Sequence, residues 1–330
     1  MPKPGPRNLI TDVPGLKVGC VEDEAVRTGV TVVLCPEAWT GAVDVRGGGP
    51  AVRETDTLRP ENSFSKAHAI CLSGGSVFGL GAADGVASAL SNRDVGVRIT
   101  AGTPAIPIVP AACLHDLSNG GDKAWGLTPP YRELGMRAVE AAAEDFPLGP
   151  VGAGRGAMAG LRPGGLGSAS IDLGGGLIVA ALVAANPVGS AYMADGETFW
   201  AWPFEIDGEF GGRRPGTLAP AIEPLPDDSK LGARLIAGAN TTLALVATTA
   251  DLSTAEAQRM AMMAHDGMAR AVRPIHTPFD GDVVFGLASG ACALGDDPMR
   301  GVLRTRIGSA AADCLARAIA RAVYESNRGR

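Results

Sequence analysis

Residues 240–249 read Asn-Thr-Thr-Leu-Ala-Leu-Val-Ala-Thr-Thr, and this stretch decides the fold. From Thr241 onward it holds apolar and β-branched residues without Gly or Pro, which predicts a buried strand. Residues 200–240 carry Pro and Gly scattered among charges, which is typical of a flexible surface segment. The sequence therefore predicts a surface segment that runs straight into a core strand, with a small amide and a hydroxyl, Asn240 and Thr241, at the junction.

The Asn240–Thr241 junction suggests that the chain cuts itself. A threonine that becomes an N-terminus owns a hydroxyl nucleophile and an α-amino group with a pKa of about 7.7–8.0, so one residue supplies both attacker and base. The Thr241 hydroxyl would attack the Asn240 carbonyl and shift the acyl group from nitrogen to oxygen, and water would hydrolyse the resulting ester. The same residues are also typical of an ordinary entry from a loop into a strand, so the junction alone leaves both interpretations open.

Composition limits the fold and the partners. A chain of 330 residues allows two domains or one large α/β domain. Glycine is frequent, with 46 residues, and aromatic residues make up only 5%, which favours closely packed layers joined by tight turns. The net charge of −6 without a basic block makes nucleic acid and anionic membranes poor partners. We expect a small-molecule substrate, and the acidic balance would suit a cationic one.

Cysteine usage and the N-terminus predict a cytoplasmic protein. Six cysteines are spread along the chain, mostly inside apolar runs, and none forms a C-x-x-C pair, so we expect reduced core residues. The first ten residues lack the apolar segment of a secretory signal. No apolar run reaches the length that spans a membrane.

The turn Gly74-Gly75-Ser76 follows a predicted strand and precedes a predicted helix that runs to about Leu90, with Ser76 as its cap. Backbone N–H groups at such a turn make it a candidate site for an anion or an oxyanion. No G-x-x-x-x-G-K-[ST] or G-x-G-x-x-G pattern is present, so a nucleotide site is not expected.

Two polar positions lie at the ends of other predicted strands. Asn186 follows the apolar run 177–185 and precedes Pro187, so its amide could face a site or only cap the turn. Asp280 and Asp282 stand two apart at the entrance of a strand predicted within 276–289, and residues two apart in a strand share a face. Both carboxylates could then lean toward one point, although a solvated Asp-Gly-Asp turn fits the pattern as well.

Three segments carry helix signals. Ser253-Thr254-Ala255-Glu256 is a capping-box pattern that opens a helix to about Val272. Residues 130–143 and 307–324 show apolar stripes at helical spacing. Helices that alternate with strands indicate an α/β fold.

A metal or cofactor is not expected. Asp280, Asp282 and His276 could hold a metal, but the four histidines show neither H-x-x-x-H nor H-E-x-x-H spacing. A serine hydrolase of the G-x-S-x-G type is also not indicated, because that pattern is absent.

Ordered motifs cover nearly the whole chain. They are LITDVPGLKVG (9–19), TGVTVVL (28–34), VRGGGPAVRETD (45–56), LSGGSVFGL (72–80), PIVPAACLHDL (107–117), GAGRGAMAG (152–160), GGLGSAS (164–170), ANPVG (185–189), GANTTLALVATTADL (238–252), FDGDVVFGLAS (279–289) and AADCLARAIARAVYE (311–325). In these motifs the chain resembles the L-aminopeptidase/D-esterase (DmpA-type) family, which also contains β-peptidyl aminopeptidases and the nylon-oligomer hydrolase. The resemblance favours self-cleavage over an ordinary strand entry.

The resemblance implies a single-domain, four-layer αββα sandwich of the DmpA/ornithine-acetyltransferase type, with N-terminal-nucleophile chemistry. Cleavage would give an α fragment, residues 1–240, and a β fragment of 90 residues (330 − 240), residues 241–330. Thr241 carries over as nucleophile and base, and Asn186 as the oxyanion donor. Asp280 and Asp282 match an acidic or hydroxyl pair beside the nucleophile's amine. Family members also assemble as tetramers of cleaved protomers, so a homo-oligomer is expected.

Two departures from the family pattern affect substrate preference. Some relatives carry a lysine in the glycine-rich segment where this chain has Leu161-Arg162-Pro163. Arg162 could replace the charge but cannot accept a proton. The aromatic residue of the family's pocket becomes His115, which is expected to line the substrate pocket together with Gly74, Gly75 and Ser76.

Three functions are compatible with these residues. The first is a cytoplasmic, self-processing amidohydrolase that removes N-terminal residues from short peptides or small amides through a Thr241 acyl-enzyme. The second is a threonine-nucleophile acyltransferase of the ornithine-acetyltransferase kind, which would pass the acyl group to an amine instead of water. The third is an uncleaved, non-catalytic relative that binds a small ligand. The motifs favour the hydrolase.

Overall fold

The computed structural model describes residues 3–216, 223–232, 240–296 and 298–329. Within them lie these strands: β1 (Lys17–Asp23), β2 (Thr28–Val45), β3 (Ala51–Arg53), β4 (Lys66–Ser73), β5 (Ala111–Cys113), β6 (Met158–Ala159), β7 (Arg162–Pro163), β8 (Gly165–Asp172), β9 (Ile178–Asn186), β10 (Thr241–Ala250) and β11 (Val283–Cys292). The α-helices are α1 (Gly81–Asn92), α2 (Tyr131–Glu140), α3 (Thr254–Ala271) and α4 (Met299–Asn327).

Strand β10 confirms the prediction made from residues 241–249. Each of its ten residues is buried, as expected for a strand covered on both faces. It pairs with β9 in the antiparallel sense and with β11 in the parallel sense. The first residue of β10, Thr241, is the direct partner of Asn186, the last residue of β9.

The long strand β2 joins two halves of the sheet, whose order is β3-β5-β4-β2-β11-β10-β9-β8. Its first residues pair with β1 and β4, and its last six pair with β11. The register with β4 is irregular between Leu34 and Trp39, a stretch that contains Pro36. Because proline cannot donate to a ladder, a bulge at this position is expected, and it lets one strand serve both layers.

Three hydrophobic cores define four layers. Leu72 and Phe285 lie in the core between the two halves of the sheet. Leu134 packs in a second core, beneath α1 and α2, and Met260 in a third, beneath α3 and α4. The layers therefore follow the order helices, sheet, sheet, helices, which confirms the predicted αββα sandwich.

The residues after Asn240 are interleaved with those before it. They supply β10, α3, β11 and α4. β10 lies against β9, and β11 lies against β2, so the two strands that follow the junction lie side by side between strands that precede it. The junction is therefore placed in the middle of the fold.

Helix α3 begins as the capping box predicts. The Ser253 N–H donates to Glu256 Oε2 (2.9 Å), and the Glu256 N–H donates to Ser253 Oγ (3.4 Å). Helix α4 is longer than predicted, since it begins at Met299 rather than Ile307. In the described part of the chain no helix is both long and apolar enough to cross a membrane.

The predicted helix cap at Ser76 is wrong. Ser76 has a left-handed φ of 53°, makes no capping bond and begins a 3₁₀ helix, Ser76–Leu80, and α1 begins only at Gly81. Residues 165–172 form the buried strand β8, in which Gly167 allows close approach of α4, because a Cβ there would lie 2.0 Å from the Ala318 carbonyl oxygen.

Candidate active site

The Asn240–Thr241 junction is buried, and its carbonyl is held by two donors. Asn240 and Thr241 are 1% and 3% exposed. The Thr241 hydroxyl Oγ1 donates to the Asn240 carbonyl oxygen. The Gly281 N–H donates to the same oxygen at 3.0 Å. A hydroxyl therefore lies against the preceding carbonyl, which is already polarised by a backbone N–H.

Parallel pairing brings the acidic motif to this junction. β10 and β11 run in the same direction, so their N-terminal ends meet at one edge of the sheet, where Asn240 forms a parallel bridge with Asp280. A Cβ at Gly281 would lie 2.7 Å from Thr241 Oγ1 and 2.8 Å from the Gly49 carbonyl oxygen. Glycine at position 281 is thus required by the close approach of the nucleophile candidate.

Asp282 holds the backbone next to Thr241. Its carboxylate is fully buried. Oδ1 accepts the Thr242 N–H at 2.7 Å. Oδ2 accepts the backbone N–H of His276 at 3.0 Å and faces its ring Nδ1 at 2.8 Å. Both oxygens are therefore used to fix the start of β10 and the 276–282 loop.

Asp280 joins two turns at the same edge. Oδ1 accepts the Val188 N–H at 3.0 Å, and Oδ2 accepts both the N–H (2.9 Å) and the hydroxyl (2.6 Å) of Thr277. Burial raises the pKa of Asp280, and the nearby charge of Asp282 raises it further, while these donors lower it. The alternative of a solvated turn is wrong, because both carboxyls are buried and close to each other.

Asn186 lies across from Thr241, with its amide inside a network. Its Oδ1 accepts the Met158 N–H at 2.9 Å, and its Nδ2 donates to the His115 carbonyl oxygen at 3.1 Å. The Asn186 side chain is thus held at the end of β9, beside Thr241, the first residue of β10.

Lys230 also lies at the site, although no sequence motif predicts it there. Its ammonium Nζ donates to Oδ1 (3.1 Å) and to the backbone oxygen (3.2 Å) of Asn186. Burial lowers the pKa of Lys230 to about 7, although Asp280 and Asp282 act in the opposite direction. A lysine therefore occupies the site even though the glycine-rich segment has none.

Lys230 belongs to residues 223–232, a segment that is hydrogen-bonded to the chain around the site. The Asp228 carboxylate accepts the Ser190 hydroxyl, and the Asp228 carbonyl accepts the Leu161 N–H at 2.9 Å. The Lys230 N–H donates to the Val188 carbonyl at 2.9 Å. Residues 223–225 and 227 are exposed, as predicted for a surface segment, whereas Ser229 is buried and Lys230 partly buried. Residues 217–222 and 233–239 of the predicted segment lie outside the described part of the chain.

One sequence signal could have pointed to Lys230. The chain has only five lysines among 29 basic residues, so 24 are arginine. Arginine stays charged, whereas lysine loses its proton readily when buried. A lysine retained eleven residues before the junction in such a chain is therefore a candidate proton carrier.

The backbone of His115 belongs to this network, because its carbonyl oxygen accepts the side-chain N–H of Asn186. Its ring is half-buried, and burial lowers its pKa; Asp116 raises that pKa and Lys230 lowers it. Contact between the His115 ring and substrate stays a prediction.

The backbone N–H groups of the turn at Gly74, Gly75 and Ser76 are not free to bind an anion. Their N–H groups donate to the Gly29 carbonyl (3.0 Å), the Asp116 carboxylate (2.8 Å) and the Leu114 carbonyl (2.9 Å). The structure thus contradicts an oxyanion or anion site built on these amides. Gly75 is instead explained by packing, because a Cβ there would lie 2.1 Å from the Tyr131 ring.

The acidic residues at the junction are also not arranged as metal ligands. Each oxygen of Asp280 and Asp282 is directed at an N–H or O–H donor, and within the described residues no group of three or more His, Cys, Asp or Glu could hold an ion.

Comparison with known proteins identifies the family. Residues 8–329 match peptidase family S58. The chain belongs to peptidase family S58. An S58 relative from Mycobacterium tuberculosis (strain ATCC 25618 / H37Rv), an uncharacterised aminopeptidase, is 43% identical over 334 residues, covering 94% of this chain and 92% of the relative. The 6-aminohexanoate-oligomer endohydrolase of Kocuria sp. (strain KY2) is 31% identical over 304 residues, covering 89% of this chain and 78% of that enzyme.

Solved structures agree on the fold of this S58 chain. A β-aminopeptidase of Burkholderia sp. superposes with a TM-score of 0.69 at 24% identity, covering 98% of this chain and 88% of the other. The L-aminopeptidase D-ala-esterase/amidase of Ochrobactrum anthropi, a variant of the Ntn hydrolase fold, gives a TM-score of 0.67 at 19% identity, covering 98% and 87%. The protein is therefore an S58 hydrolase with the Ntn hydrolase fold, which confirms the family resemblance seen in the sequence.

Proposed function

We propose that this protein is a self-processing amidohydrolase that cuts its own chain between Asn240 and Thr241. The exposed Thr241 then hydrolyses N-terminal residues from short peptides or small amides. One observation carries the proposal: the Thr241 hydroxyl bonds the Asn240 carbonyl oxygen, which also accepts the Gly281 N–H at 3.0 Å. A nucleophile, an adjacent carbonyl and a donor for the developing negative charge are the parts that acyl transfer needs.

The cut proceeds by an acyl shift. Thr241 Oγ1 forms a bond to the Asn240 carbonyl carbon, and the hydroxyl proton leaves. The negative charge that develops on the carbonyl oxygen is stabilised by the Gly281 N–H, a type of donor whose loss typically costs about 10²–10³ in rate. The C–N bond then breaks as the Thr241 nitrogen takes up a proton. Water hydrolyses the ester, leaving a carboxylate on Asn240 and a free amine and hydroxyl on Thr241.

The cut needs a proton acceptor other than Thr241 itself, because the Thr241 nitrogen is an amide until the chain is severed. Lys230 suits this role. Its Nζ donates a hydrogen bond to the side chain of Asn186, which is the strand partner of Thr241. With a pKa lowered to about 7, a large fraction of the amine is neutral at neutral pH and can take the hydroxyl proton.

After the cut, Thr241 carries its own base. The new amine would form between Asn240, which bridges Asp280, and Thr242, whose N–H bonds Asp282, so that these carboxylates would hold it in place. Asn186 is the proposed oxyanion donor of the mature enzyme, because it faces Thr241 across the β9–β10 pair. Substrate hydrolysis would pass through an ester between Thr241 and the substrate's acyl group, which water resolves.

The substrate class follows from the relatives. Two named enzymes are a 6-aminohexanoate-oligomer endohydrolase and an L-aminopeptidase D-ala-esterase/amidase. Amide bonds are common to both names, so we infer a small peptide or amide substrate, with no cofactor. We also propose a cytoplasmic homotetramer of cleaved, single-domain protomers, which light scattering of purified protein would test.

Intact-mass analysis of purified protein tests the proposal. We expect two polypeptides, residues 1–240 and 241–330. A single unbroken chain with hydrolytic activity would refute the mechanism. Assays of the processed protein with p-nitroanilides of β-, D- and ω-amino acids and with pantothenyl amides would then define the substrate. Hydroxylamine trapping beside an amine-acceptor assay separates hydrolysis from acyl transfer.

Self-cleavage should accelerate as pH rises through about 7. The pKa of Lys230 is lowered from 10.5 to about 7, so its amine is neutral above that pH and protonated below it. Only the neutral amine accepts a proton, and the rate should therefore fall on the acid side. The measurement is the half-time of fragment appearance after cell-free synthesis, in buffers from about pH 5.5 to 8.5. A rate independent of pH across this range would exclude Lys230 as the acceptor.

A further inference from the structure

His276 contacts the junction through Asp282 and has no part in the mechanism above. Its backbone N–H (3.0 Å) and ring Nδ1 (2.8 Å) both reach Asp282 Oδ2. The other oxygen of Asp282 accepts the Thr242 N–H at 2.7 Å. One carboxylate therefore links the His276 ring to the residue that follows the nucleophile.

Among the described residues, the His276 ring is one of three donors to Asp282. A fully buried carboxylate is costly unless donors compensate its charge, and bonds to a charged group are the stronger ones. The other two donors are backbone N–H groups, from Thr242 and His276. Because a carboxylate oxygen can only accept, Nδ1 must carry the hydrogen. The bond from the His276 ring is the side-chain bond to Asp282 within the described residues, so substitution of His276 removes it.

A second histidine, His265, packs against the ring of His276. His265 of α3 is fully buried, and its ring meets that of His276 edge to face at 4.8 Å between centroids. Its Nε2 donates to the Asp44 carbonyl oxygen at 3.1 Å. Burial, and next the neighbouring His276, lower the pKa of His265 to about 4, so it packs as a neutral ring at neutral pH.

Backbone conformation also holds His276 in place. Its φ of 56° is left-handed, which residues other than glycine adopt uncommonly. Such a conformation persists where surrounding contacts over-determine it, and it is often found at functional sites. Asp44 and Arg46 are the charged groups near His265, while Asp280 and Lys230 lie near Asp282 on the junction side.

We propose that His276 is a positioning residue for self-cleavage, whose ring keeps Asp282 aimed at the Thr242 N–H, so that Thr241 Oγ1 stays against the Asn240 carbonyl. The inference rests on the proposed self-cleavage and goes beyond it, because it assigns a role to a residue that touches neither the nucleophile nor the bond that breaks. Loss of the ring donor lets the start of β10 shift, and a displacement of about 1 Å can cost about 10²-fold in rate.

Two variants test the role. His276→Leu removes the donor, and His276→Asn keeps a side-chain N–H near the position of Nδ1. The matched control is His68→Asn, because His68 is also buried and uses Nδ1 to accept the Ile108 N–H at 3.1 Å, which an asparagine oxygen can replace. Each is made by cell-free synthesis, and the half-time of fragment appearance is measured by mass spectrometry. Thermal midpoints are measured with Thr241→Ala added, so that every chain stays uncut.

We expect His276→Leu to slow cleavage about 10²-fold, His276→Asn to recover most of that loss, and His68→Asn to cut at the rate of the unchanged protein. Unchanged cleavage in His276→Leu would overturn the positioning role while leaving the proposed function intact. Equal slowing in both variants, in step with their thermal midpoints, would also overturn it, because a general loss of stability would then explain the rate. Failure of the unchanged protein to cut would instead refute the proposed function.

Discussion

Replacement of Thr241 by alanine is expected to leave one uncut polypeptide of 330 residues without hydrolytic activity. The variant lacks the hydroxyl that bonds the Asn240 carbonyl, so no acyl shift can start. Without the cut no α-amine forms, and the mature enzyme then lacks both its nucleophile and its base. We expect activity to fall about 10⁶-fold, the loss typical of removing a catalytic nucleophile, and to be absent in practice.

Two further variants test whether the effect of Thr241→Ala comes from loss of the Thr241 hydroxyl. Thr241→Ser keeps a hydroxyl and should retain some cleavage. Thr242→Val is the matched control, because Thr242 is equally buried and its hydroxyl has no hydrogen-bond partner among the described residues. Its removal should leave folding and cleavage intact. Intact mass and amidase activity are measured on all three, and cleavage of Thr241→Ala at the same bond would eliminate Thr241 as the attacking group.

Lys230→Met should slow self-cleavage by about 10²–10⁴, the usual contribution of a positioned acid or base. Methionine preserves much of the length of the side chain while removing the amine that contacts Asn186. Stability should not fall, because a partly buried ammonium that, among the described residues, bonds neutral oxygens of Asn186 and no carboxylate is costly, and methionine is apolar. The predicted result is therefore a folded, stable and slowly cut chain, followed by mass spectrometry and thermal unfolding.

Lys230→Arg separates charge from proton transfer. Arginine retains the positive charge but cannot accept a proton at neutral pH, so it should cut as slowly as the methionine variant. The control is Lys123→Met, since the Lys123 ammonium bonds Asn119 and Gly120 rather than the junction residues. Full activity in Lys230→Arg would show that the charge alone matters and that another group takes the hydroxyl proton.

Local patterns predicted the elements that carry the junction. The uninterrupted apolar run after Asn240 gave β10, the capping box at Ser253 gave α3, and Asn186 was placed at a strand end. Each of these signals lies within about ten residues of sequence, where periodicity and capping act. The motif order predicted the four-layer sandwich, which the structure and its neighbours confirm.

Features that depend on distant contacts were not predicted. Lys230 enters the site because Asp228 bonds Ser190 and Leu161, which are remote in sequence. The glycines of β8 resemble a loop, but they allow close approach of α4, which a sequence pattern does not show. The turn Gly74-Gly75-Ser76 likewise suggested an anion site. Its backbone N–H groups instead donate hydrogen bonds to acceptors in neighbouring chain segments.

The position of β10 and β11 between strands that precede the junction has a consequence for reversibility. Once the bond after Asn240 is broken, β10 still lies between β9 and β11, and β11 still pairs with β2, so the pieces stay locked together. Heating would release two separate polypeptides that originally folded as one chain. Their reassembly becomes a second-order reaction, so recovery after heat denaturation should depend on protein concentration, whereas the uncut Thr241→Ala chain should refold at a concentration-independent rate.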